Sequence, residues 1–217
     1  MNYLSFLKHD IKDSHAYLSP SKASWINYDP QKLVDGYAIS YATQIGTAVH
    51  ECASNCIKRR IRLNKTDKKV LVYHMMTNTY IPSSCYDVDR IFATLSLFVN
   101  DCIGFRMQSE VPLVYSGYAF GTTDAISYDI DNRVLRIFDL KSGTRMAKPD
   151  QLYIYAGLFC LEYKMNPEEM SEIVLRIYQG GAYEEFCPAP EVIRATMDTI
   201  IKDNDILVAE YGERKAG

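Results

Sequence analysis

Three residues in the stretch GTTDAISYDIDNRVLRIFDLKSG, Gly121 to Gly143, carry more charge than a buried strand tolerates: Asp124, Asp139 and Lys141. Alternation along RVLRIFDLKSG puts Leu135, Ile137, Asp139 and Lys141 on one face and Val134, Phe138 and Leu140 on the other. Burying a charge is costly unless it is paired or binds a metal. If the two strands form a hairpin, Asp124 approaches Asp139, and two carboxylates at close range form a site for Mg²⁺ or Mn²⁺. Lys141 beside them could orient or deprotonate a water, or steady the charge of a phosphate. The spacing alone leaves an alternative: an Asp139–Lys141 ion pair at a sheet edge, with Asp124 a turn residue.

The elements that must position these groups are legible along the 217 residues. LSPSKASWINY reads as a short helix, with Ser19 as N-cap and Pro20 at its first position. ISYATQIGTAVHECASNCIKRRI (39–61) has apolar residues at helical spacing, Ile45, Val49, Cys52 and Cys56, and predicts a long helix. SCYDVDRIFATLSLFVNDCIGF (84–105) predicts another, closing at Gly104. RMQSEVPLVY, YAFGTTDAISYDI and RVLRIFDLKSG then read as three strands, the last two joined by a turn at DIDNR. PDQLYIYAGLFCLEYK is apolar almost all round, as a helix packed on a sheet would be. EIVLRIYQGG predicts a fourth strand, and PEVIRATMDTIIKDNDILVAEYGER a terminal helix. This order predicts an α/β fold, a central mixed β-sheet flanked by helices. No repeat or low-complexity linker interrupts residues 1–217, so a single domain is expected. Its 1–105 part is mainly helical, and 106–217 forms the sheet core.

Composition excludes some classes. At 47% hydrophobic and 24% charged the chain is of ordinary globular make-up. No apolar run reaches the roughly 18 residues of a membrane span, and the first residues, MNYLSFLKHDIKDSH, lack the features of a secretory signal. A cytoplasmic location without membrane association is the expectation. A net charge of −3 does not advertise nucleic-acid binding, but a local basic groove matters more than the total. The dense basic stretch CIKRRIRLNKTDKK (56–69) reads as a solvated helix end and loop. Six scattered cysteines, with Cys52 and Cys56 four apart and no CxxC pair, predict reduced thiols and no zinc site.

The ordered set of motifs resembles the PD-(D/E)xK nuclease superfamily. It comprises Gly121-x-x-Asp124, Asp139-Leu140-Lys141-Ser142-Gly143 and Gln151-x-x-x-Tyr155. The branch it is most similar to holds the RecB and AddB nuclease domains and Cas4-like exonucleases. GTAVHE supplies that branch's upstream Gly-x-x-x-His motif as Gly46 and His50, and SEVPL its strand glutamate as Glu110. The set covers about half the chain. The resemblance implies a restriction-endonuclease-like core and a Mg²⁺- or Mn²⁺-dependent deoxyribonuclease. The expected activity is an exonuclease of recombination, repair or phage genome processing. A structure- or sequence-specific endonuclease, or a catalytically silent binding subunit, is the alternative. It implies Asp124, Asp139, the Leu140 carbonyl and His50 as metal ligands. Glu110 joins the catalytic set, and Lys141 is the catalytic lysine. Gln151 and Tyr155, on one helix face, would touch the DNA strand or support Lys141, and Arg145 could meet a phosphate. DNA is the implied partner; a homo-oligomer or a recombination partner protein is compatible with the family. The cluster-bearing members begin a four-cysteine iron–sulfur site at a Cys-Pro pair. Here Asp29 precedes Pro30 and only Cys187 lies in the last quarter, so no iron–sulfur cluster is expected.

Overall fold

A computed structural model describes residues 7, 16–69, 71, 73, 86–143 and 146–215. Contacts divide the chain into two units, 1–43 and 44–217. In the first, a 3-10 helix spans Pro20–Asn27 with Pro20 in its first turn. Ser19 precedes it without capping it through its side chain; instead its carbonyl accepts from the Trp25 indole at 2.9 Å. Asp29 is the cap that matters for α1 (Pro30–Lys58), its Oδ1 accepting from the Lys32 N–H at 2.8 Å. With that cap and Pro30 the helix begins nine residues before Ile39, the expected start. Rings of Tyr17, Tyr37 and Tyr41 pack in sequence in this unit.

The second unit holds the C-terminal half of α1, which buries Ile45, Ala48, Val49, Cys52, Ala53, Cys56 and Ile57, one helical stripe. Then follow α2 (Val88–Gly104), β1 (Gln108–Val114), β2 (Phe120–Asp129), β3 (Val134–Lys141), α3 (Asp150–Tyr163), β4 (Glu172–Gln179), β5 (Ala182–Phe186) and α4 (Pro190–Tyr211). The strands form one mixed sheet in the order β1-β2-β3-β4-β5, antiparallel except for the parallel β3–β4 pair that α3 connects. The expected α/β class, a mixed sheet flanked by helices, is the observed one.

One sheet face buries Leu113, Ile126, Leu135, Ile137, Leu175 and Ile177 under α3 and α4. On the other, Phe138 and Tyr178 lie beneath α2, with Phe98 edge-on to Tyr178 at 5.3 Å. The β2–β3 turn falls at DIDNR, where the Asp129 carboxylate accepts from both the backbone and side-chain nitrogens of Asn132. The fifth strand was not expected. Its hairpin turns on Gly180 and Gly181, both at positive φ (65° and 84°), a two-residue turn that glycine makes without steric cost. Among the described residues no helix is long and apolar enough to cross a membrane.

Candidate metal and phosphoryl site

The sheet register lines up three carboxylates. Ser109 pairs with Ala125 and Val111 with Thr123, so Glu110 stands opposite Asp124. Ala125 pairs with Phe138, and one further residue along that register puts Asp124 opposite Asp139. The hairpin expected from sequence therefore does bring the two aspartates side by side. Glu110 holds φ at 55°, the left-handed region, in the middle of a strand. Such a conformation is uncommon for a residue with a side chain, and strain of this kind gathers at functional sites. Pro112, two residues on, is tolerated because β1 is an edge strand.

His50 reaches this row from α1. Its Nδ1 lies 3.1 Å from Asp124 Oδ1, the separation of a hydrogen bond donated by the ring. Among the described residues, ligand atoms of His50, Glu110 and Asp124 fall within 4.8 Å of one another and could hold a metal ion. One imidazole with carboxylate oxygens is a donor set suited to Mn²⁺ and, through its oxygens, Mg²⁺. Asp124 Oδ2 accepts the Leu140 N–H at 2.8 Å, which ties β2 to β3 just where their ladder ends. In an antiparallel pair a residue's N–H and carbonyl face the same neighbour, so the Leu140 carbonyl also faces β2.

Asp139 is only 4% exposed. The Lys141 ammonium lies against both of its oxygens, donating to Oδ1 at 2.9 Å and forming an ion pair with Oδ2 at 2.8 Å. Asp139 thus has a counter-ion of its own, and Asp124 and Glu110 are the carboxylates left beside His50 for a cation to satisfy. The electrostatics agree in direction. Burial first, then the charge of Asp124, raises the carboxyl of Asp139; Lys141 and His50 only partly offset this. Glu110 is raised for the same two reasons, against the pull of His50 and Lys58. Burial would lower His50, but the hydrogen bond to Asp124 and the fields of Asp124, Asp139 and Glu110 outweigh it and raise the imidazole.

A second chain of bonds holds Lys141. Its ammonium donates to Gln151 Oε1 at 3.1 Å, Gln151 Nε2 to the Tyr155 hydroxyl at 3.3 Å, and that hydroxyl to the Thr122 carbonyl at 2.6 Å. Gly121 makes room for this: a Cβ there would stand 3.0 Å from the Tyr155 ring. So Gln151 and Tyr155 reach Lys141 and β2 within the protein itself. Arg145 lies outside the described residues. Gln179 bonds both Gly143 and Ala147, donating to the Gly143 carbonyl and accepting from the Ala147 N–H.

A cleft of about 630 Å³ opens over His50, Glu110 and Asp124 and runs along α1 past Ser54 and Asn55 to Lys58. Sequence reading treated Lys58 as part of a solvated basic stretch. The signal that places it in the cleft is its position eight residues, two steps of four, beyond His50.

No family model matches this sequence, and no curated protein matches it. Among solved structures, that of the protein SSO0001 is similar at 16% identity over 72% of this chain and 74% of that one. Its TM-score is 0.28, a likeness that carries no argument about fold or activity.

Proposed function

We propose that this protein is a divalent-metal-dependent nuclease that hydrolyses phosphodiester bonds in DNA, as an exonuclease. The observation that supports this best is the pairing of a lysine with an acidic row: Lys141 on buried Asp139, aligned with Asp124 and Glu110, and His50 above them. His50, Glu110 and Asp124 would hold the ion, with Asp139 and the Leu140 carbonyl on the same side. Bound there, Mg²⁺ or Mn²⁺ supplies a Lewis acid for a phosphoryl oxygen and lowers the pKa of a water.

The side chains divide the remaining work. An ammonium has three N–H donors; Asp139 and Gln151 take two of Lys141's, and the third is left for an attacking water or a phosphate oxygen. Gln151 and Tyr155 fix where that third donor points. Asp139 holds Lys141 in place, so the lysine would act as a hydrogen-bond donor and local positive charge. The exonuclease form follows from the family resemblance of the motifs.

End-labelled linear duplex, linear single strand and a covalently closed circle, incubated with Mn²⁺ or Mg²⁺, test the reading, with Lys141→Ala beside each. Loss of linear substrates alone, absent in the variant, is the expected result. Cutting of the circle would make the protein an endonuclease. Metal binding without cleavage of any substrate would leave a nuclease-like binding subunit.

A further inference from the structure

We infer that the cleft along α1 seats one strand of nucleic acid, running from the His50–Glu110–Asp124 group to the helix end, with Lys58 on a neighbouring backbone phosphate. This rests on the nuclease reading and adds to it a path and a strand preference. His50, Ser54 and Lys58 recur every four residues and line one cleft, so they share a face of α1. Eight residues of helix rise about 12 Å, or roughly three nucleotides at B-form spacing and fewer in an extended strand. The cleft is thus long enough to hold the phosphate being cut and one beyond it.

Its charge runs in the sense a strand requires. One end is acidic and repels phosphate unless a cation sits there; the other end is cationic by itself. Lys58 is exposed and makes no hydrogen bond or ion pair among the described residues. It lines the same cleft as Glu110. Arg59 and Arg60, also exposed, follow at once. Arg60 stands at φ 57°, with the Ile61 N–H on the Cys56 carbonyl and its own on that of Ile57. That pattern ends a helix at a position where glycine is the usual residue, and here the strained position carries an exposed arginine two residues past Lys58, the last helix residue lining the cleft.

A volume of about 630 Å³ is that of a site for a small ligand, so one backbone at a time enters it, which favours a single strand. The plain alternative is that Lys58 only complements the carbonyl end of the α1 dipole. That role would show in stability and leave binding untouched.

The test uses 5′-fluorescein-labelled oligothymidylate and Mn²⁺ in a Lys141→Ala background, which under the nuclease reading binds without cutting. Fluorescence anisotropy is followed against salt for that protein and for Lys58→Ala and Arg60→Gly added to it. Each added change is expected to weaken binding about three- to tenfold and to reduce the salt slope by about 1. Arg60→Gly should do so while raising the melting temperature, since it relieves the left-handed arginine. Unchanged affinity in both variants, with the Lys141-intact protein still cutting the oligonucleotide, would overturn the path and leave the nuclease reading standing. Equal binding of a blunt duplex with the same Lys58 dependence would overturn the single-strand assignment. If the Lys141-intact protein neither binds nor cuts the oligonucleotide or the duplex, the nuclease reading falls, and this inference with it; binding and cutting of the duplex alone would overturn only the single-strand path.

Discussion

At the scale of residues, the site is a balance between charges that repel and groups that hold them. Three carboxylates share one row of the sheet, and two of them, Glu110 and Asp139, are pushed above their ordinary protonation range by burial and by Asp124. Lys141 partly relieves Asp139, its ammonium 2.9 Å from Oδ1 and 2.8 Å from Oδ2. Exchange of Lys141 for arginine keeps the charge but replaces a compact ammonium with a planar fork. Lys141→Arg and Lys141→Ala should both lower cleavage by about 10²–10³, the effect of losing one aimed donor; Lys141→Ala should also lower the melting temperature, because it leaves buried Asp139 without its partner, whereas Lys141→Arg should keep most of the stability. His50 makes the metal response pH-dependent. Its folded pKa is raised, so in the metal-free protein its stabilising contribution is full below the unfolded value of about 6.5. That contribution is lost as pH rises through the higher folded value. A metal ligand must be deprotonated, so stabilisation by Mn²⁺ should run the other way, small at pH 6 and large at pH 8. Calorimetric melting with and without Mn²⁺ at the two pH values checks both slopes, and His50→Ala should flatten them. At Mn²⁺ one hundred times its Kd the gain should be about 2.7 kcal/mol, and Asp124→Asn should abolish it.

At the scale of elements, Lys141 is held by a helix that is itself docked on the start of β2. The Tyr155 hydroxyl on the Thr122 carbonyl and its ring over Gly121 register α3 against the strand that carries Asp124. A methyl group at Gly121 would push the ring, and with it Gln151 and Lys141. Gly121→Ala should therefore reduce kcat with little change in KM, and Tyr155→Phe should do the same more mildly. Single-turnover cleavage alongside urea unfolding separates this from a loss of fold; a fall in stability that matches the fall in rate would show that Gly121 serves the fold and not the lysine. Glu110 belongs to this scale as well. Its left-handed φ in an edge strand is a local cost that the flanking pairs Ser109–Ala125 and Val111–Thr123 hold in place.

At the scale of the molecule, the sheet separates the site from much of the packing that supports it. Asp139 and Lys141 alternate with Phe138 and Leu140, so the acidic row and the aromatic cluster of Phe138, Tyr178 and Phe98 stand on opposite faces. Phe138→Ala removes a fully buried ring and should cost about 3–5 kcal/mol in chemical denaturation. The same variant should retain Mn²⁺-dependent stabilisation under native conditions, because it touches no candidate ligand. Parallel pairing of β3 and β4 through α3 joins the two halves of this arrangement: the strand with Asp139 and the helix with Gln151 and Tyr155 are consecutive in the chain and meet again at Lys141.

Periodicity and turn chemistry carried the sequence far: the meander, the connecting helix, the fourth strand and the terminal helix follow from alternation, helical spacing and the Asp–Asn turn. The same alternation put Asp139 and Lys141 on one strand face, because side-chain direction in a strand is a local property. The fifth strand was missed although Gly180-Gly181 is itself a hairpin signal, since AYEEF carries too little apolar alternation to announce a strand. The early start of α1 was missed for a related reason: its cap, Asp29, and Pro30 precede residues with little apolar rhythm. What only the tertiary structure decided is distance. That Glu110 and Asp124 face each other, that His50 meets Asp124 across 74 positions of chain, and that Lys58 shares their cleft all depend on strand register and on how α1 lies over the sheet. Residue type and local spacing determine which groups could do chemistry and which way each points from its own element. Long-range packing alone determines which of them stand within reach of one ion.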